Sequence, residues 1–302
     1  MARRCRRLAG LLCALALAPM TGGAAPAATP ASTKAAAPGA PVQVLVPSLE
    51  SRGARPLELD GFWFTAPGEG RRPALVLLHG CGGPYDRQGR LASRMRHYAG
   101  LLREQGWHVL VLDSLTARGE SELCTQRIGT RAVTMANRRL DALGALAWLA
   151  QREDVDADRL VLLGWSNGGS TVLSASNLTH DDVAAARPRP RALVAFYPGC
   201  DAELKRGYRP SAPLQLLVGL ADDWTPAAPC VALADRAPAS APIAIERYEG
   251  AYHGFDSTAP VTRRKDVPNG VHPGQGVHVG GNAAAEQASR TRMLAFLNEQ
   301  MR

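Results

Sequence analysis

Gly164-Trp165-Ser166-Asn167-Gly168 sets a serine between glycines two residues before and two residues after it. An apolar run at 160–163 precedes this pentapeptide and a helical stretch follows it, so Ser166 is expected on a tight strand-to-helix turn. Bulky neighbours would clash on such a turn; the glycines relieve the crowding and expose the hydroxyl. The first amides of the following helix favour negative charge developing beside them. The chemistry that suits this arrangement is nucleophilic attack by Ser166 on an acyl carbon.

A serine hydroxyl is a weak nucleophile at neutral pH. It needs a base within hydrogen-bond reach and a third group that fixes the ring and tautomer of that base. Of the 7 histidines, His253 lies in Glu249-Gly250-Ala251-Tyr252-His253-Gly254-Phe255, a turn-like segment directly after an apolar run at 243–248. That puts it on the same carboxyl edge of a parallel sheet as Ser166. His108 falls inside an expected strand, His97 and His180 in or beside helical segments, and His79 in a different loop. The carboxylate is expected from Gly219-Leu220-Ala221-Asp222-Asp223-Trp224-Thr225-Pro226, after the run at 214–218. Either aspartate could orient the histidine while the other caps a helix or meets solvent.

Acyl transfer also needs donors for an oxyanion, and backbone amides are worth about 3 to 4 kcal/mol each at the transition state. Asn167, just after the nucleophile, is expected to supply one. The other is expected from Cys81 in His79-Gly80-Cys81-Gly82-Gly83, which follows the run at 74–78. A glycine-rich loop after a strand can also bind phosphate, but no lysine-serine or lysine-threonine pair follows this one. Arg118, after the run at 107–112, is a candidate for holding a substrate carboxylate; pairing with a nearby acid is the competing expectation. The stretch 257–281, rich in Gly and Pro, follows His253 and is expected to cover part of the pocket. His272 and His278 lie within it without a third metal ligand, so no metal is expected. Asn177-Leu178-Thr179 fits a glycosylation sequon.

The elements that must position these groups follow from the apolar pattern. Runs at 74–78, 107–112, 160–163, 192–196, 214–218 and 243–248 are apolar nearly throughout, as strands buried on both faces require. Helical patterns separate them, which is the alternation of a mostly parallel sheet with helices on both faces. Residues 57–59 and 62–65 flank Asp60-Gly61, a two-residue hairpin signal. Ala136, Leu140, Leu143, Ala147 and Ala150 recur at spacings of four and three, one face of a covering helix. Residues 282–301 repeat the device with Met293, Phe296 and Leu297.

The first residues read differently. Arg3, Arg4, Arg6 and Arg7 precede an apolar run at 8–18 and then small residues, so 1–27 read as a signal peptide, too short in its apolar part for a lasting membrane anchor. Residues 28–41, rich in Ala, Pro and Thr, read as a flexible linker, and 42–302 as one α/β domain. The net charge of +8 includes those four leader arginines, and loses four of its eight units without them. No basic run with interleaved aromatics is present, so no nucleic-acid partner is expected. Cys81, Cys124, Cys200 and Cys230 remain, an even number allowing three pairings. We pair Cys200 with Cys230 and Cys81 with Cys124; four free buried thiols are the alternative. The expected location is periplasmic or secreted.

The HGCGG loop, the GWSNGG elbow, GLADDWTP and AYHGF together resemble the dienelactone hydrolase family, from about Pro73 to the C-terminus. The resemblance implies an α/β-hydrolase fold and cofactor-free hydrolysis of small-molecule esters or lactones. It places the triad on Ser166, Asp222 and His253, favouring Asp222 over Asp223, in the chain order serine, acid, histidine that this fold uses. Two departures stand out. The name-giving members use a cysteine nucleophile where this chain has Ser166, which points to general ester chemistry through an acyl-enzyme, and they lack an export leader. A serine peptidase of the same fold and a non-catalytic ligand-binding protein on a hydrolase scaffold are the alternatives. Neither natural substrate nor oligomeric state follows from the residues.

Overall fold

The computed structural model describes residues 40–238 and 241–302; the expected signal peptide and nearly all of the linker lie outside them. Eight strands form one sheet: β1 (Val42–Arg52), β2 (Arg55–Phe64), β3 (Arg72–Leu78), β4 (His108–Leu112), β5 (Val155–Trp165), β6 (Ala192–Phe196), β7 (Leu214–Gly219) and β8 (Ile243–Tyr248), in the order β1-β2-β4-β3-β5-β6-β7-β8. β1, β2 and β4 pair antiparallel, and β4-β3-β5-β6-β7-β8 is parallel throughout. The main helices are α1 (Ser93–Glu104), α2 (Met135–Ala150), α3 (Asn167–Ser176), α4 (Asp181–Ala185), α5 (Asp201–Arg206), α6 (Ala227–Asp235) and α7 (Ala283–Gln300).

The apolar strands are split by their two-residue period between two cores. In β3, Ala74, Val76 and Leu78 face a core completed by Ala142, Ala145, Leu146 and Leu149 of α2 and Val172 of α3. Leu75 and Leu77 face the opposite core, with Met95, Tyr98 and Leu102 of α1 and Met293, Phe296 and Leu297 of α7. Helices therefore cover both faces of a mostly parallel sheet, as the alternation of runs and helical patterns implies.

Three local expectations are corrected. Asp60-Gly61 is no hairpin turn: β2 runs through it, pairing with β1 on one side and β4 on the other, and the turn sits at Gly53, whose φ is +64°. The buried stripe of α2 is rotated from the expected one. Arg138, Asp141, Ala142, Ala145 and Leu149 are buried while Ala136 is exposed. Gly144 sets this rotation, because a Cβ there would stand 2.3 Å from the carbonyl oxygen of Pro47, a contact only glycine permits. β8 is half-buried rather than buried, because it ends the sheet.

Strand order also decides where a site can form. β3 lies between β4 and β5, so the chain leaves β3 in one direction and returns on its other side. Loops at the carboxyl ends of such a pair diverge and leave a crevice. The loops after β3 and β5 are the HGCGG segment and the Ser166 turn.

Candidate active site

Ser166 joins β5 to α3 with φ 54° and ψ −118°, a conformation rare for any residue with a side chain. The neighbouring glycines are required by close approach. A Cβ at Gly164 would fall 2.3 Å from the carbonyl oxygen of Gly168, and one at Gly168 would fall 2.0 Å from that of Leu78. The same packing presses α3 against the end of β3, so the elbow and the HGCGG loop share one rim.

His253 follows β8 and is buried. Its Nε2 lies 2.8 Å from Oγ of Ser166 and its Nδ1 2.8 Å from Oδ2 of Asp222. A carboxylate can only accept, so the proton shared with Asp222 sits on Nδ1 and leaves Nε2 free to accept from the serine hydroxyl. The ring is gripped by Tyr197 and Trp224, each with its ring centroid 4.6 Å from that of the imidazole. Its carbonyl accepts from the amide of Gly280 at 3.0 Å. Tyr197 itself adopts φ +35° directly after β6, and its hydroxyl donates to Asp256 at 2.6 Å; Arg94 engages both oxygens of the same carboxylate.

The two adjacent aspartates are separated by their partners. Oδ1 of Asp222 accepts from the amides of Trp224 (2.8 Å) and Thr225 (2.9 Å), which leaves Oδ2 facing His253. Asp223 points the other way and holds His278, accepting from its amide at 2.8 Å and meeting Nδ1 at 2.7 Å. His278 belongs to a short antiparallel pair, β9 (Thr262–Arg264) and β10 (Val277–Val279). The 257–281 stretch is thus fastened to the acid loop, and Asn269 within it accepts from the amide of Ile128 at 3.1 Å; Ile128 lines the cavity described below, whereas no residue of 257–281 does.

The amides of Cys81 and Asn167 donate to no protein acceptor among the described residues. The sulfurs of Cys81 and Cys124 stand 2.06 Å apart, and those of Cys200 and Cys230 1.99 Å apart. His79, at the head of the HGCGG loop, is wholly buried. Its Nε2 accepts from the amide of Ser114 at 3.3 Å, so Nδ1 donates to the carbonyl of Gly80 at 2.7 Å. Burial, reinforced by the nearby Arg138 guanidinium, pushes its pKa down to about 3, so the ring is neutral.

Beside the triad opens a cavity of about 670 Å³. Ile128, Val133, Met135, Trp224 and Pro226 give it apolar walls, and Asn167 and Thr225 connect it to Ser166 and Asp222. Such a mostly apolar recess with a few polar groups suits a small organic ligand. A hydroxyl, imidazole and carboxylate aligned in this way, next to free amides and a cavity, can carry out acyl transfer.

Some expected groups are elsewhere. Arg118 does not reach the cavity: its guanidinium is bound to both oxygens of Asp141 (2.8 and 2.9 Å), to Glu50 (2.6 Å) and to the carbonyl of Ser114 (2.7 Å). It ties the loop after β4 to α2 and β1, and a substrate carboxylate would have to displace two acids. Asn177 is fully buried and donates to Glu203 at 2.6 Å, so the sequon is sealed inside the fold. Thr225, Tyr197 and Arg138 were not legible as site residues. Thr225 stands within the expected acid loop, but nothing local marks its hydroxyl as pointing at Asp222.

Residues 59–301 match the family model described as the dienelactone hydrolase family. The YtaP protein of Bacillus subtilis (strain 168) is 30% identical over 112 residues, 33% of this chain and 38% of that protein; the match spans well under half of the relative. Among solved structures, the dienelactone hydrolase-like promiscuous phosphotriesterase P91 from metagenomic libraries superposes with a TM-score of 0.61 at 18% identity, covering 87% of this chain and all of the other. Thermogutta terrifontis esterase 2, in a form phosphoramylated by tabun, gives 0.56 at 17% identity over 85% of this chain and 94% of its own. These likenesses establish an α/β-hydrolase fold.

Proposed function

The chain belongs to the dienelactone hydrolase family, and from that premise we propose that it hydrolyses carboxylic esters or lactones through an acyl-enzyme on Ser166. The observation that carries the reading is the unbroken relay of two 2.8 Å contacts from Ser166 through His253 to Asp222, set on a strained elbow. Ser166 Oγ attacks the ester carbonyl carbon while His253 Nε2 takes the hydroxyl proton. The amides of Cys81 and Asn167 hold the oxyanion. Collapse of the tetrahedral adduct breaks the bond to the alcohol, which leaves with the proton from His253. A water then gives its proton to the same nitrogen and attacks the acyl carbon; collapse of the second adduct breaks the bond to Oγ, which takes that proton back from His253, releasing the acid and restoring Ser166.

The test is labelling by a fluorophosphonate probe together with turnover of short p-nitrophenyl esters. The wild-type protein should react with both. Ser166→Ala should lose both while keeping its circular dichroism spectrum, and turnover equal to wild type would remove Ser166 from the role.

We also propose that the protein is exported, to the periplasm or beyond. Two cysteine pairs at bonding distance suit an oxidising compartment, and no helix among the described residues is long and apolar enough to cross a membrane.

A further inference from the structure

Arg138 lies on the sheet-facing side of α2 and is 1% exposed. A guanidinium removed from water is costly unless a carboxylate or several acceptors compensate it. Among the described residues Arg138 makes no ion pair, whereas Arg118 in the same region makes two. Its hydrogen-bond acceptors are uncharged: one terminal nitrogen donates to the side-chain oxygen of Asn167 and the other to the carbonyl of His79 at 2.8 Å, while the carboxylates of Asp141 and Asp113 act on it only from a distance. Its Nε has no partner among the described residues. Burial, only partly offset by Asp141 and Asp113, pushes its pKa down to about 10, so it remains cationic at neutral pH.

The two acceptors belong to the two loops that meet at the rim. His79 heads the loop that presents the Cys81 amide, and Asn167 presents its own amide while its side chain reaches back to the arginine. An ordinary packing role would be met by an apolar side chain at lower cost. We propose that Arg138 is a positioning residue for the oxyanion site: it fixes the separation of the Cys81 and Asn167 amides and lays a positive charge behind them. This rests on the acyl-transfer reading of Ser166 above. The positive charge strengthens both donors in a site that excludes water. The fork geometry matters as well, because a lysine at this position cannot donate along two fixed directions to acceptors on separate loops.

The experiment compares wild type, Arg138→Met, Arg138→Lys and Asn167→Ala on p-nitrophenyl acetate. Rates are normalised to sites titrated to completion with a fluorophosphonate, so unfolded protein is not counted. Displacing a donor by a fraction of an ångström to an ångström costs on the order of 100-fold in rate. Arg138→Met should therefore lose about that factor in kcat per titrated site with KM within about threefold, and Arg138→Lys should recover part of it. Affinity for an arylboronic acid, which becomes a tetrahedral anion on the serine, should fall with kcat. Affinity for a neutral alcohol that occupies only the cavity should not change. A residue acting only in folding would lower the melting temperature and leave kcat per titrated site and boronate affinity alone, and that result overturns the proposal. Should Arg138→Met yield no folded protein, Asn167→Ala decides: it removes one end of the bridge and keeps the amide. Loss of boronate affinity by about tenfold or more supports the clamp, and unchanged affinity overturns it. A wild-type protein that neither labels nor turns over would sink the acyl-transfer reading itself; an active wild type with variants equal to it sinks only the clamp.

Discussion

The hydroxyl of Thr225 stands 3.0 Å from Oδ2 of Asp222, on the same oxygen that faces His253. It also lies 3.1 Å from Nδ1 of His253 and 3.0 Å from the carbonyl of Tyr197. A hydroxyl has one proton, so donation to Asp222 competes with donation to Tyr197. In the proposed mechanism, Asp222 is held in place by its neighbours rather than by water as the imidazolium forms. Thr225→Val should lower kcat by about five- to tenfold, the loss of one hydrogen bond of about 1 to 1.5 kcal/mol, and Thr225→Ser should restore most of it. Steady-state kinetics at pH 7 to 8 checks this, and a Thr225→Val enzyme as fast as wild type would assign the hydroxyl to Tyr197.

Asp222→Asn makes a sharper case. The backbone amides of Trp224 and Thr225 demand an oxygen at the Oδ1 position, so the new amide nitrogen must face His253. That donor forces the imidazole to accept on Nδ1 and carry its proton on Nε2, the wrong tautomer for receiving the serine proton. The expected loss in kcat is about 10³- to 10⁴-fold with the fold unchanged. Asp223→Asn, whose carboxylate serves His278, should stay within about fivefold of wild type, because no reacting group loses a partner.

Arg118 should behave as a structural residue. Asp141 is fully buried and its ion-pair partner is Arg118. Arg118→Ala therefore leaves a buried carboxylate without its charge partner and should cost about 3 to 5 kcal/mol in urea unfolding. KM for acidic and neutral esters should change in parallel and by no more than about twofold. A selective rise in KM for acidic esters would return Arg118 to substrate binding.

His79 should make the protein acid-sensitive. Its folded pKa of about 3 lies below the ordinary value of 6.5, so between these pH values the unfolded chain binds a proton that the native state refuses. Stability is then lost as pH falls from 6.5, by up to about 1.4 kcal/mol per unit, and the loss stops growing below the folded value. Above 6.5 the group contributes no slope. His79→Asn keeps a donor near the Nδ1 position for Gly80, gives up the Ser114 contact, and lacks the titration. Its melting temperature should depend less steeply on pH between 6.5 and 4 than that of wild type. Parallel curves would show that other groups carry the acid sensitivity.

The elements and the turn that carries Ser166 were legible because their signals are local. Glycine spacing around Ser166 reports a turn that only glycines tolerate, and the contacts of Gly164 and Gly168 give the reason in ångströms. Fully apolar runs report strands covered on both sides, and β3 divides its residues between two cores accordingly. β8 misled for the same reason, since an edge strand carries a similar composition while only half of it is covered.

Charge placement was not legible. Asp222 and Asp223 are chemically identical neighbours, and the choice between them was made by two backbone amides on one side and by His278, 55 residues on, on the other. Arg118 was a candidate for a substrate carboxylate or a nearby acid, and nothing in the sequence set Arg138 apart. One found two acids, and the other was buried between His79 and Asn167. The amino-acid sequence alone determined the strand pattern and the glycine-flanked elbow, because steric freedom and hydrophobic period act between near neighbours in the chain. Which charges are buried and what each one holds was decided only by the tertiary structure. The energy of a charge depends on desolvation and on partners brought from distant segments, and neither is a property of local sequence.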